Sequence, residues 1–161
     1  MRRAMYPGTF DPITNGHLDI LRHVTGLFDE VIVGILHNPS KSPLFTVDER
    51  VRFVLDATKR YPNVRVDSFS GLLVDYCRAN SIPYIVRGIR NPADLQVEMQ
   101  MAQMNESIYP DIHTLFIPTS PTYSFVSSSL VKDVAMHGGS VGDFVTDVVR
   151  EALADRLARR G

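Results

Sequence analysis

The run Val31 to Leu36, VIVGIL, is apolar throughout and rich in β-branched side chains. A strand with one wet face alternates apolar and polar residues, so an unbroken apolar strand needs cover on both faces, as in a parallel sheet flanked by helices. The neighbouring segments supply that cover. Asn15 to Phe28 places Leu18, Leu21, Val24 and Phe28 on one helical face, and Thr46 with Glu49 forms a capping box opening a helix through Val51, Val54, Leu55 and Thr58. Ala4 to Tyr6, Val64 to Val66, Tyr84 to Val86 and His113 to Ile117 read as further short strands. Helices are expected around Leu72 to Ala79, over Asp94 to Ser107 and Ser127 to Met136, and over Val141 to Leu157. Such alternation requires right-handed crossovers and parallel pairing, which makes the expected fold α/β, a doubly wound five-stranded parallel sheet. With 161 residues, 44% of them hydrophobic, the chain can bury one good core and has little room for a second domain.

Ligands of such sheets bind at the C-terminal edges of the strands. Two segments fall on that edge. Met5 to Ile20, MYPGTFDPITNGHLDI, leaves the first strand through a Gly/Pro turn and opens a helix at Gly16-His17, aiming backbone N–H groups and His17 at one spot suited to an anion. Tyr123 to Leu130, YSFVSSSL, puts three serines at another helix start, where hydroxyls both cap the helix and reach phosphate oxygens. One serine would suffice for capping. Neither GxGxxG nor GxxxxGK[ST] occurs, so a dinucleotide fingerprint and a P-loop are both absent.

A formal net charge of −1 argues against a broad nucleic-acid-binding face, so any polyanion site must be local. The lone cysteine, Cys77, cannot form an internal disulfide and falls on an apolar helical stripe with Leu73 and Tyr76, as expected of a buried, inert thiol in a reducing cytoplasm. No apolar run reaches membrane-spanning length, and MRRAMYPGTF lacks a signal peptide's apolar core, so no membrane association is expected. The methionines of Asp94 to Ser107 recur at helical spacing with Val97 and Ile108, which reads as core or interface.

PGTFDP at Pro7 to Pro12, TNGH at Thr14 to His17 and SFVSSSL at Ser124 to Leu130 resemble the two signatures of the nucleotidyltransferase superfamily, whose Rossmann-like nucleotide fold is shared with class I aminoacyl-tRNA synthetases. NPSKSPLF at Asn38 to Phe45 and VRGIRNPADLQVEMQMAQMN at Val86 to Asn105 narrow the resemblance to the bacterial phosphopantetheine adenylyltransferases, and the likeness runs end to end. It implies one nucleotidyltransferase domain over residues 1 to 161. The implied reaction moves an adenylyl group from ATP to 4′-phosphopantetheine, giving dephospho-coenzyme A and pyrophosphate in the penultimate step of coenzyme A synthesis. The attacking phosphate monoester has a second pKa of about 6 and is already an anion near neutrality, so no general base is required. Alignment of two polyanions and stabilisation of growing charge are required instead.

The resemblance assigns roles residue by residue. His17 stabilises the transition state at the α-phosphate. Thr9, Lys41, Leu73 and Arg87 bind phosphopantetheine, Leu73 through its backbone. Thr9, Phe10, His17, Gly88, Ile89, Arg90 and Glu98 face the nucleotide, and Tyr123, Ser124, Phe125, Val126, Ser127, Ser128 and Ser129 wrap the adenine and the outer phosphates. Lys132 adds charge there or lies exposed. Mg²⁺ is expected with ATP, Asp11 being the one candidate for an outer-shell contact. Coenzyme A or its dephospho form is expected as product or feedback ligand, and the resemblance implies a homohexamer. Val126 stands where isoleucine is usual, and Leu95-Gln96 where many members carry an aromatic residue and an acid, on a helix surface that could line an oligomer channel. The alternatives left open are the sibling nicotinate mononucleotide adenylyltransferases and cytidylyltransferases, and a silent nucleotide-binding regulator on the same fold.

Overall fold

The five strands pair only in parallel, and across the sheet the third strand of the chain is followed by the second, the first, the fourth and the fifth. The computed structural model describes residues 1–160, with β1 (Arg3–Gly8), α1 (Asn15–Val24), β2 (Glu30–Leu36), α2 (Val47–Thr58), β3 (Val64–Phe69), α3 (Leu73–Ala79), β4 (Tyr84–Ile89), α4 (Pro92–Ile108), β5 (His113–Pro118), α5 (Ser128–Met136) and α6 (Asp147–Arg160). This is the doubly wound parallel sheet expected from the alternation of apolar runs and amphipathic segments. Pleating divides the central strands between two cores: Ala4, Tyr6, Val31, Val33 and Val86 pack with α1, α2, α5 and α6, while Met5, Ile32 and Ile85 pack with Cys77 of α3, Ile82 and Ile112.

The strand order reverses between β1 and β4, and there the sheet splays. The two strands pair only at Ala4↔Tyr84 and Met5↔Ile85, although β1 continues to Gly8 and β4 to Ile89. A crevice therefore opens at the C-terminal ends of the central strands, the position at which doubly wound sheets bind ligands. Arg87 spans the splay, its Nη1 donating to the Pro7 carbonyl at 2.8 Å. Gly88 lets α1 close on the other side, since a Cβ there would stand 2.9 Å from Ile20 Cγ1.

Four expectations change. α1 stops at Val24, ahead of Phe28, because Thr25 to Leu27 break into turns at Gly26. On α2 the inward stripe is Arg50, Phe53, Val54 and Thr58, and Leu55 is exposed; an arginine at an inward position disguised the phase. The last helix starts at Asp147, six residues later than Val141. Gly142 and Asp143 turn the chain, Thr146 accepts from the Val149 amide, and Val141 and Val145 are buried as turn residues, which mimicked helical spacing. Finally, α4 buries no residue: Val97, Met99, Met101, Met104 and Ile108 are exposed, which removes the core reading of its methionines and leaves the interface one. Cys77 is buried and free as expected, and burial pushes its thiol up to about 12.

Candidate active site

The turn after β1 is held in one shape by several restraints. Phe10 sits in the left-handed region at φ 49°, which costs an ordinary side chain about 1 to 2 kcal/mol. The cost is offset by burial of its ring, edge-on to Tyr6 at 5.5 Å and tilted against His17 at 4.9 Å. Asp11, also buried, accepts from the Leu44 and Phe45 amides at 2.9 Å each and from Lys132 Nζ at 2.9 Å. This carboxylate is thus a structural anchor, as is Lys132, and neither lines the clefts described below.

His17 is the third residue of α1 and takes the glutamate's place in a capping box. The Thr14 hydroxyl accepts from the His17 amide at 3.4 Å, and His17 Nδ1 accepts from the Thr14 amide at 2.9 Å. An Nδ1 that accepts must carry its lone pair, so the ring proton lies on Nε2. Burial, reinforced by the Arg87 and Arg90 cations, lowers the imidazole pKa to about 4. At neutral pH His17 is therefore an uncharged N–H donor at the positive end of a helix, with its acceptor nitrogen occupied. It can donate to a phosphoryl oxygen, and it is poorly disposed to take a proton.

The crevice is divided into two clefts with a common wall. The first, of about 290 Å³, is lined by Thr9, Phe10, His17, Gly88, Arg90 and the start of α5, among others. At that helix start Ser127 Oγ accepts from the Leu130 amide at 3.1 Å, and Ser128 Oγ donates to the Pro12 carbonyl at 2.7 Å, joining α5 to the α1 entry turn. The second cleft, of about 410 Å³, is largely apolar, with Leu36, Phe69, Leu73, Ile85, Val97 and Met101 on its walls. Pro7, Gly8, Thr9, Arg87 and Glu98 line both. Arg87 grips Glu98 in a two-pronged pair, Nε to Oε2 at 2.9 Å and Nη2 to Oε1 at 2.8 Å. Burial would lower the guanidinium pKa, but Glu98 outweighs it, so Arg87 stays firmly charged. Arg90 pairs likewise with Asp94, at 2.9 and 3.2 Å.

Of the residues singled out from sequence, Thr9, Phe10, His17, Arg87, Gly88, Arg90, Glu98, Val126, Ser127 and Ser128 line the first cleft. Leu73 lines the second. Ile89, Ser124 and Phe125 adjoin the first without lining it; the exposed Phe125 stacks edge-on to Phe144. Tyr123 turns into a separate groove beside Asn15, Asp19 and Arg22, because its ring packs against the core under α1. Ser129 is exposed on a separate groove, beside Ser42 and Leu44, since consecutive helical residues point about 100° apart. Lys41 is exposed at the tip of the loop between β2 and α2 and lines neither cleft. Residues not anticipated are Tyr6, Thr14, Ile20, Asp94 and Thr119 in the first cleft's lining, and Arg50 behind it.

Residues 5–134 match the Cytidylyltransferase-like family. The phosphopantetheine adenylyltransferase of Streptomyces coelicolor is 54% identical over 160 residues, covering 99% of this chain and 100% of the relative. That of Caldanaerobacter subterraneus subsp. tengcongensis is 45% identical over 159 residues, with 99% of both chains covered. Among solved structures, the Plasmodium falciparum nicotinic acid mononucleotide adenylyltransferase superposes with a TM-score of 0.70 at 16% identity, covering 99% of this chain and 95% of that one. At that identity the likeness speaks for the fold alone.

Proposed function

Because the chain belongs to the phosphopantetheine adenylyltransferase family, we propose that it transfers the adenylyl group of Mg-ATP reversibly to 4′-phosphopantetheine, releasing pyrophosphate. The product is dephospho-coenzyme A, in the penultimate step of coenzyme A biosynthesis, and the whole chain acts as one nucleotidyltransferase domain. The observation that carries this reading is the pair of clefts meeting at Thr9, Arg87 and Glu98. A polar cleft with two helix N-termini suits a nucleotide triphosphate, and an apolar one suits the pantetheine arm. Their common wall is where the acceptor phosphate would meet the α-phosphorus.

In this reading a phosphate oxygen of the acceptor attacks the α-phosphorus, a new P–O bond forms, and the bond to pyrophosphate breaks with its electron pair. Thr9 and Arg87 hold the acceptor phosphate, with Lys41 closing on it from the loop. His17 Nε2–H donates to an α-phosphoryl oxygen as charge accumulates, while Ser127 and Ser128 at the head of α5 face the departing pyrophosphate, with Arg90 alongside. Gly88 and the Thr9-Phe10 backbone border the nucleotide. The carboxylates lining the cleft, Asp94 and Glu98, are each paired with an arginine, so Mg²⁺ is placed here as part of the Mg-ATP substrate. Dephospho-coenzyme A and coenzyme A span both clefts and so compete with both substrates.

The exposed apolar face of α4 supports a homo-oligomer, read here as a hexamer by likeness to the family; Val97 and Met101 lie on both that helix and the apolar cleft. No helix among the described residues is long and apolar enough to cross a membrane, and we place the activity in the cytoplasm.

Pyrophosphate release from Mg-ATP, measured with 4′-phosphopantetheine, nicotinate mononucleotide or glycerol 3-phosphate as acceptor and with CTP as control, tests the assignment. Release with phosphopantetheine and ATP alone is expected. Release with another acceptor would keep the fold and the His17 chemistry but overturn the acceptor roles of Thr9 and Arg87. ATP binding without release from any acceptor would make the chain a regulator.

A further inference from the structure

Arg50 heads the fully buried side chains in size, at 1% exposure, and every hydrogen bond it makes goes to a main-chain carbonyl. Nε donates to Phe45 at 3.2 Å, and Nη1 donates to Leu36 at 3.1 Å and to Thr9 at 2.9 Å. Packing alone does not account for a cation here, since an apolar side chain of similar volume would fill the space without the cost of desolvating a charge. The three carbonyls are chosen by place. Leu36 ends β2 and Phe45 precedes the Thr46 cap of α2, so they bracket the loop that carries Lys41. Thr9 lies in the turn shared by both clefts.

The far end of that loop is fixed from three directions. Asp11 accepts from the amides of Leu44 and Phe45, Arg50 donates to the Phe45 carbonyl, and Arg156 of α6 donates to the Leu44 carbonyl at 2.6 Å while pairing with Glu49. All four main-chain polar groups of Leu44-Phe45 are thus held by charged side chains from outside the loop. The His37 amide still donates to the Phe69 carbonyl of β3, but beyond it, over residues 38–42, the hydrogen bonds are local: Ser40 donates to Asn38 Oδ1, and the Lys41 amide to the Asn38 carbonyl. A free tip stands on a fixed base, and Arg50 ties that base to Thr9.

We propose that Arg50 is a positioning residue for the acceptor phosphate: its guanidinium sets the distance between the Thr9 turn and the base of the Lys41 loop, so that both side chains close on one phosphate. The inference rests on the function proposed above. It deepens that reading by adding a residue that touches neither substrate, and by giving the basic end of α6 a part in the site through Arg156.

The test compares wild type, R50M and R50K, with thermal melts to establish folding. R50M is expected to raise the acceptor KM about tenfold or more and lower kcat about tenfold, with the ATP KM within about twofold of wild type. R50K, which keeps the charge without the planar fork, should fall between the two. In a T9A/K41A background, which lacks both side chains being placed, R50M should cost less than about twofold, a non-additivity that a general loss of stability would not produce. A folded R50M with wild-type constants, or with both KM values rising together, would overturn the proposal. Wild type that fails to turn over phosphopantetheine would overturn the function itself. Should neither variant fold, Arg50→Gln, which keeps neutral N–H donors toward the same carbonyls, takes their place in the comparison. A selective rise in the acceptor KM supports the proposal, and wild-type constants or a joint rise of both KM values overturns it.

Discussion

His17→Ala is expected to lower kcat by about 10²- to 10³-fold, the cost of losing one preorganised donor to a developing oxyanion, while ATP affinity changes less than about threefold. A contact made mainly in the transition state contributes little to binding the ground state, so equal losses in both would remove the role assigned here. His17→Asn keeps a neutral N–H donor without a titrating ring and should retain more activity than alanine. It also separates two sources of pH dependence. The imidazole, lowered to about 4, stays neutral from pH 8 to 5, whereas the acceptor phosphate loses its second negative charge near about pH 6. The acid limb of kcat/KM for the acceptor should therefore lie near about pH 6 in wild type and persist unchanged in His17→Asn. For stability the sign is definite. Below the ordinary histidine pKa the unfolded chain binds a proton that folded His17 refuses until about 4, so its contribution is present above pH 6.5 and lost as pH falls to 4. Between those values the wild-type Tm should fall more steeply than that of His17→Asn.

The other large effect is expected at Arg87. Arg87→Gln removes the planar two-pronged partner we propose for the acceptor phosphate and leaves the Glu98 carboxylate, 18% exposed, without its counter-charge beside an incoming dianion. Two charge-assisted hydrogen bonds at about 1.5 to 3 kcal/mol each correspond to a rise in acceptor KM of at least about 100-fold. Because part of that rise is repulsion by the freed Glu98, adding Glu98→Gln should restore about tenfold. If the second change gives nothing back, repulsion by an unpaired Glu98 is no part of the loss. Lysine is no substitute at this position, since a point charge cannot hold Glu98, the Pro7 carbonyl and a phosphate in the same plane.

The alternation that begins with VIVGIL made the parallel sheet legible, and the strand order follows the usual rule that ligands sit where it reverses. That His17, Arg87, Ser127 and Ser128 meet at one cleft was legible because the helix starts and the strand end that carry them all lie on that edge, while the roles given to them came from the family resemblance. What escaped was the part of the site made through backbone. Arg50, Asp11 and Arg156 act on carbonyls and amides of Thr9, Leu36, Leu44 and Phe45, and a main-chain partner leaves no mark in a sequence. The one available signal was an arginine three residues before Phe53 on the buried stripe of α2. Side-chain direction within a motif escaped for a related reason. YSFVSSSL reads as one unit, yet Tyr123 packs under α1, Ser127 and Ser128 face the cleft and Ser129 faces away, an outcome set by where α5 docks. The methionines of α4 have the spacing of a core helix, and only the fold reveals that among the described residues they stay largely exposed.

The central claim is that the acceptor attacks the α-phosphorus directly while His17 serves as a neutral donor and forms no bond to it. The stereochemical course at an isotopically chiral α-phosphorus of ATP tests this most directly. One in-line displacement inverts the configuration, and inversion is the predicted result. Retention would mean two displacements through an adenylylated side chain, with His17 the first suspect, and would contradict the account.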